Sequence, residues 1–190
     1  MKQQLIVALL GVAAMAAAGV LAWHLRAAQA PHPAEDELAF VRSAAMAHRI
    51  YAPEVRHPVK VTGKDEAHLA AWLSARLGAP VRAPALESAG YNLVGGRLLP
   101  GGAAAPGRPQ LHGYFMYQNT SGSRLSLAVR VHEKAVAAPA PRITREGPVN
   151  VIHWLDRQLE YVLASVDVSA EALLPIAEAA RRELSPCSYY

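Results

Sequence analysis

The hydrophobic residues form one long run near the start of the chain and shorter, patterned segments after it. The run 5–25, LIVALLGVAAMAAAGVLAWHL, carries no acidic or basic residue other than one histidine, and a helix of this length spans the ~30 Å core of a bilayer. It predicts a transmembrane helix. A secretory leader is the alternative, because Lys2 precedes the run and Ala28-Gln29-Ala30 resembles a cleavage site. We favour the anchor, since a leader's apolar region usually has about 7–15 residues.

Three later segments show features of amphipathic helices. Residues 36–51, DELAFVRSAAMAHRIY, combine an acidic start with apolar residues near helical spacing, which predicts a helix close to the membrane. The segment 64–80 has an apolar stripe and ends at Gly78, a typical helix cap; the stripe is Leu69, Trp72, Leu73 and Leu77. Ser169 predicts the start of a last helix, which Pro175 is expected to kink or delay.

Five segments between these helices predict β-strands, because each is short, rich in apolar residues and bounded by turn residues. They are 90–100, 111–118, 124–132, 149–155 and 158–166, with a short edge strand at 59–61. Residues 119–123 predict a hairpin loop, and Asp156-Arg157 a tight reversal. Gly95-Gly96 indicates a bulge, a bend or the close approach of another backbone.

The alternation is clearest in 124–132. Its odd positions are apolar, and its even positions are mostly polar: Ser126, Ala128, Arg130 and His132. Such a pattern is typical of a sheet with one face in water.

The order of elements predicts an α+β fold. We expect an N-terminal transmembrane helix, then helices packed on one face of a roughly five-stranded antiparallel sheet, and a C-terminal helix. The expected organisation is a cytoplasmic stub, a transmembrane helix, a stalk, a periplasmic sensory or regulatory domain and a tail, at 1–4, 5–25, 26–35, 36–186 and 187–190.

Charge and composition exclude several functions. The formal net charge of +4 comes from scattered arginines without a basic run, so we expect no nucleic-acid partner. Cys187 is the only cysteine, which excludes an internal disulfide and a cysteine-based metal cage. The common hydrolase and nucleotide-binding motifs are absent from the sequence, so we expect no enzyme and no cofactor.

Histidines are the only residue set that suggests ligand binding, since imidazole binds metals and titrates near neutral pH. Six of the eight histidines follow residue 35: His48, His57, His68, His112, His132 and His153. None are at a tight ligand spacing, although His132 and His153 would form a metal or pH sensor if they met across neighbouring strands. We favour satisfied or exposed histidines, and a solvated face for Glu133 and Glu160. We interpret three aromatic residues as core or rim residues: Trp72, Trp154 and Tyr161. No catalytic, cofactor-binding or metal-binding residue is assigned.

The stretch from about Tyr51 to Leu99, YAPEVRHPVKVTGKDEAHLAAWLSARLGAPVRAPALESAGYNLVGGRLLP, resembles the extracytoplasmic part of bacterial transmembrane anti-sigma factors. FMYQNTSGSRLSLAVR, VIHWLDRQLEYVLAS and ALLPIAEAARREL are similar to later parts of the same domain. The resemblance implies a cytoplasmic domain that holds a sigma factor, one membrane helix, and an outer domain that senses or recruits a signal.

The start of the chain departs from that family. MKQQ is too short for a sigma-binding domain, and the His-x₃-Cys-x₂-Cys zinc pattern of some members is absent from the sequence. We expect either a start placed too late or a sigma-binding half encoded separately.

The resemblance therefore implies a single-pass protein of the bacterial inner membrane that regulates transcription. Its N-terminus would be cytoplasmic and its domain periplasmic. Its partners would be the membrane, a sigma factor if an upstream domain exists, and a regulatory protease acting near Pro31 to Arg42. Two alternatives remain: a periplasmic binding protein cleaved after Ala30 that senses metal or pH through histidines, and an accessory protein that shields a separate anti-sigma factor.

Overall fold

The computed structural model of the chain describes residues 15–23, 33–101, 110–136 and 140–185. The chain divides into two compact units, Met1–Asp36 and Glu37–Tyr190. In the first, residues 15–23 are helical and exposed, and no helix among the described residues is long and apolar enough to cross a membrane. Most of the predicted segment 5–25 lies outside the described residues, as do Ala28-Gln29-Ala30 and Cys187.

The second unit contains an antiparallel sheet of six described strands. They are β1 (Val61–Thr62), β2 (Tyr91–Pro100), β3 (Leu111–Asn119), β4 (Arg124–Val136), β5 (Arg142–Glu146) and β6 (Val149–Ser165), in the order β1-β2-β3-β4-β6-β5. The described chain also contains the helices α1 (Pro33–Tyr51), α2 (Glu66–Leu77) and α3 (Ala170–Leu184).

The α+β class and the antiparallel sheet are therefore confirmed, whereas the count of roughly five strands is wrong. The segment RITRE forms β5, which is not among the predicted strands. The predicted edge strand is present as β1, and the two predicted strands 149–155 and 158–166 are joined in β6.

Strand β6 folds back on itself at Asp156-Arg157. Extended residues advance about 3.3 Å each, so residues seven apart in a straight strand would be about 23 Å apart. His153 and Glu160 are seven apart, yet their side chains are in contact at 2.8 Å. Arg157 has a φ of 56°, in the left-handed region used by tight turns. The predicted reversal is therefore confirmed, and β6 has two arms: 149–155, which pairs with β5, and 158–165, which pairs with β4.

Helices cover both faces of the sheet, so the prediction of one covered face is wrong. Helices α2 and α3 pack on one face, the α2/α3 face, with residues such as Leu69, Leu173 and Leu127 in a single apolar cluster. Helix α1 packs on the other face, the α1 face, where Phe40 clusters with Ala128 of β4. The even positions of β4 were expected to face water, but Ser126, Ala128 and Arg130 are buried because α1 lies over them, and His132 is half-buried.

The sequence predicted several local features correctly. Gly78 caps α2 with a φ of 72°. Ser169 caps α3, which begins at Ala170, so the delay expected from Pro175 does not occur. A register shift lies between Leu93 and Gly95, and a Cβ on Gly95 would lie 2.1 Å from the Val61 carbonyl oxygen. The bulge and the close backbone approach are thus both present.

Candidate functional site

A row of polar side chains crosses the α1 face of the sheet. Arg130 of β4 is paired with Glu160 in the second arm of β6, and Arg142 of β5 is paired with His153 in the first arm. His153 and Glu160 contact each other between the arms. His112 of β3 lies on the other side of Arg130. Its neighbour Gly113 pairs with Val129, the neighbour of Arg130, so His112 and Arg130 are at adjacent positions on the two strands. We call these five residues the polar row; it exists because the register of five strand segments aligns them.

Glu160 is the centre of the row and is 1% exposed. Its Oε2 accepts a hydrogen bond from Arg130 Nε at 2.6 Å, and its Oε1 lies 2.8 Å from Nε2 of His153. Burial acts to raise the pKa of Glu160, but the hydrogen bonds from His153 and Arg130 outweigh it and hold the pKa below its usual value. The Glu160 carboxylate is thus kept ionised in the interior by two donors.

Helix α1 contributes Glu37 to the outer end of the row. Glu37 Oε1 lies 2.8 Å from Arg142 Nη1 and 3.4 Å from His153 Nδ1. The His153 ring is therefore placed between two carboxylates, one from the sheet and one from α1. Because Arg142 is 60% exposed, water weakens its pair with Glu37, whereas the contact of Glu37 with His153 is more protected.

His112 lies at the inner end of the row beneath α1. It is 1% exposed, and among the described residues neither of its ring nitrogens has a hydrogen-bond partner. The Phe40 ring meets it edge-on at 5.6 Å, and the Arg130 guanidinium lies 4.5 Å from the centre of that same Phe40 ring. Burial, aided by the nearby Arg130 charge, lowers the pKa of His112 to about 4. It is held neutral in the interior at neutral pH.

A second polar contact holds the C-terminal part of α1. The Nδ1 atom of His48 lies 2.9 Å from Ser126 Oγ, and its Nε2 accepts a hydrogen bond from Val166 N at 3.3 Å. Burial lowers the pKa of His48 to about 4, although Asp167 opposes the shift. Because Nε2 accepts from Val166, a proton added there would break this contact and place a charge in the interior.

The structure distributes the other predicted histidines widely. His57 and His68 are exposed and His132 is half-buried. His132 and His153 do not form a pair, because the second arm of β6 lies between β4 and the first arm. Among the described residues, no group of three or more His, Cys, Asp or Glu side chains is arranged to hold a metal ion.

The interpretation of Glu160 as part of a solvated face is wrong, because α1 covers it. The side chain of Glu133 lies outside the described residues. The aromatic residues were interpreted correctly: Trp154 and Tyr161 are buried and stack at 5.2 Å between ring centres, and Trp72 is half-buried against the main core.

A cavity of about 530 Å³ lies away from the polar row, at the β6 turn. Residues from the end of α2, the following segment, the turn and the end of α3 line it, including Ser74, Val81, Arg157, Tyr161 and Leu184. No member of the polar row contributes to it.

The chain matches no protein-family model, and neither a curated protein nor a solved structure is significantly similar to it. What the fold and the site define is an α+β domain with a polar row buried between its sheet and one helix. The arrangement of donors and acceptors is suited to holding α1 on the sheet. Four members of the row were visible in the sequence as polar residues inside apolar strands, namely His112, Arg130, His153 and Glu160, whereas Arg142 lies in the mostly polar β5. The alignment of all five depends on long-range register.

Proposed function

We propose that this protein is a membrane-anchored regulator of transcription of the anti-sigma type, whose α+β domain lies outside the cytoplasmic membrane and acts by binding rather than by catalysis. The sequence resemblance and the anchor-length apolar segment 5–25 support this function. The observation that carries it is the position of α1. This helix begins at Pro33, within the expected stalk 26–35, and lies on the sheet over the polar row.

The contact between α1 and the sheet is suited to reversible release. Its buried apolar residues are Phe40, Val41 and three alanines, Ala44, Ala45 and Ala47, and each alanine buries little apolar area. Phe40 and Val41 belong to a smaller apolar cluster than the one into which α2 inserts Leu69 and Leu73. Elements with few large apolar contacts open at low free energy. We therefore expect α1 to leave the sheet before α2 or α3 does.

Release of α1 would transmit a signal to the stalk. A ligand or partner that competes for Glu37, or a proton on His48, removes one of the polar contacts that hold the helix. The stretch from Pro31 to Arg42, which includes the first turns of α1, would then be open to a regulatory protease. In this scheme the domain senses or recruits the signal, and the change in α1 is its output.

The anchor and orientation are tested by the location and mass of the full chain in bacteria. An intact Met1–Tyr190 species in the carbonate-washed membrane fraction, digested by a protease added to spheroplasts, is the expected result. A soluble periplasmic species that begins at Pro31 would instead support the cleaved binding protein. A domain that resists protease until the cells are lysed would contradict both.

The output step is tested by limited proteolysis of the full chain in membranes. Glu37→Gln removes the α1 charge from Arg142 and His153, so we expect faster cleavage within 33–42. The matched control is Glu178→Gln, because Glu178 is exposed on α3. Equal cleavage rates in both variants and the wild type would refute the role of the Glu37 contact.

Binding to a sigma factor requires a version of the chain that starts further upstream. If an upstream reading frame encodes a short helical domain, this longer version should recover a sigma factor from a lysate. A longer version that recovers none would contradict the anti-sigma function while leaving the anchor and the α1 results intact.

A further inference from the structure

Strand β5 is an open edge of the sheet. Its residues Arg142–Glu146 pair with β6 on one side, and no other described strand pairs with them. The opposite edge, β1, is only two residues long. Backbone N–H and C=O groups on an open edge are able to pair with another extended strand. Strand β5 is thus the longer of the two edges in the described part of the chain.

The side chains of β5 alternate between the two faces. Arg142 and Glu146 point to the α1 face, where they meet Glu37 at 2.8 Å and Arg42 at 3.9 Å. Ile143 belongs to the other face, since it is paired with the core residue Ile152, yet it remains 50% exposed. Charged edge strands ordinarily deter pairing with other chains. Whether β5 can pair with a strand of another chain therefore depends on which charged residues face each other.

A symmetric pair of β5 strands has few permitted registers. In an antiparallel pair, the two-fold axis is perpendicular to the sheet and preserves its faces, so the register must be centred on a residue. Centring on Thr144 places Arg142 opposite Glu146 of the second copy and Ile143 opposite its Arg145. Centring on Arg145 would place this cation opposite itself, and centring on Ile143 would leave Glu146 without a partner in the strand. Only the register centred on Thr144 gives every residue of β5 a partner in the second copy without pairing two like charges.

We propose that β5 is a homodimer interface, in which two copies of this chain pair their β5 strands antiparallel about Thr144. On the α1 face, the charges then alternate in sign along each row, from Glu37 to Arg142, then to Glu146 and Arg42 of the second copy. On the other face, the aliphatic stem of Arg145 from the second copy covers the exposed Ile143. The sequence R-I-T-R-E is therefore complementary to itself.

The interface is small. Stable dimers bury about 1,200–2,000 Å², more than a five-residue edge supplies, so the dimer is weak in dilute solution. Holding both copies in one membrane raises their effective concentration. This increase in effective concentration rests on the proposed membrane anchor. The pairing of the β5 strands does not depend on the anchor.

Disulfide trapping tests the register in the full chain. In a Cys187→Ser background, Thr144→Cys puts two thiols on the axis with Cα atoms about 4.5–5.5 Å apart, which suits a disulfide. Copper phenanthroline in air oxidises the two thiols to the disulfide. We expect a covalent dimer in membranes at Thr144→Cys but not at Ser121→Cys, a control on the exposed β3–β4 turn. No trapping at Thr144→Cys, or equal trapping at both sites, overturns the proposal.

Two substitutions of opposite charge at Ile143 distinguish specific pairing of the β5 strands from random encounters between two copies. Ile143→Lys faces Arg145 of the second copy with a like charge, whereas Ile143→Glu faces it with an opposite charge. Each affects two symmetric pairs at about 0.2–1 kcal/mol. Relative to Ile143→Glu, Ile143→Lys should therefore weaken dimerisation of the full chain in sedimentation equilibrium by about 2- to 30-fold. Equal dimerisation of the two variants overturns the interface, and circular dichroism confirms that both remain folded.

Discussion

Two buried neutral histidines, His48 on α1 and His112 beneath it, should make the domain less stable as the pH falls. Burial lowers the pKa of His48 and of His112 from 6.5 to about 4. The folded state therefore binds fewer protons than the unfolded state between these values. The stability contributed by each histidine is fully present above pH 6.5, and it is lost as the pH falls toward about 4.

The size of the effect follows from the shift. One pKa unit corresponds to about 1.4 kcal/mol, so each histidine should cost on the order of 3 kcal/mol of unfolding free energy when it is fully protonated. With two such groups, the free energy of unfolding should fall at close to 2.7 kcal/mol per pH unit in the middle of this window. The low pKa of Glu160 acts in the same direction but only below about pH 4.5.

Urea unfolding of the full chain, followed by tryptophan fluorescence across this pH range, measures the effect. His112→Leu removes a titrating ring whose nitrogens lack partners, and His48→Gln keeps a hydrogen-bonding side chain on α1. The double variant should lose most of the pH dependence, whereas the exposed control His68→Gln should keep it. A wild-type free energy that is the same at about pH 7 and about pH 5 would refute the reasoning, as would a full slope in the double variant.

Three further predictions concern single sites and are measured by thermal or urea unfolding. Glu160→Gln leaves the Arg130 charge buried without its carboxylate and should cost about 3–5 kcal/mol; a cost below about 1 kcal/mol would contradict the buried pair. Gly95→Ala forces a Cβ against the Val61 carbonyl at 2.1 Å and should cost more than Gly122→Ala, where φ is 87° and the surrounding space is open; equal costs would argue against the close approach. Ser169→Ala removes the hydroxyl that accepts from Ala172 N and should cost about 1 kcal/mol, and no change would show that this cap is unimportant.

Much of the fold could be predicted because it depends on local signals. The apolar stripe and Gly78 defined α2, apolar segments bounded by turn residues defined β2 and β3, and alternation defined β4. The turn at Asp156-Arg157 was also recognisable, because it separates two apolar runs by two residues. These features arise from backbone geometry and side-chain periodicity within a few residues, so one sequence is sufficient to show them.

The site could not be predicted, because it depends on contacts between distant segments. Arg130 and Ser126 have the pattern of a face in water, and only the position of α1, more than seventy residues earlier in the chain, shows that they are buried. The meeting of Arg130, Glu160 and His153 depends on strand register. Strand β5 was missed because four of its five residues are polar, which is common in a loop and also in an exposed edge strand.

The polar row also explains how the contact of α1 with the sheet differs from the contacts of α2 and α3. The α2/α3 face is held by the larger apolar cluster, but the α1 face combines a smaller apolar cluster with ionisable residues. Ionisable groups respond to pH, to ions and to charged partners, whereas leucines do not. In the proposed function, the α2/α3 face is fixed by packing and the α1 face responds to the signal.

Hydrogen exchange of the full chain in membrane vesicles is the most direct test of this account. It should show that the amides of α1 open at a lower free energy than those of α2 and β4. Lowering the pH from about 7.5 to about 5.5 should, after correction for intrinsic exchange, increase the opening of α1 most. If α1 instead exchanges in step with β4 at both pH values, α1 is an inseparable part of the core and the proposed release cannot be its function.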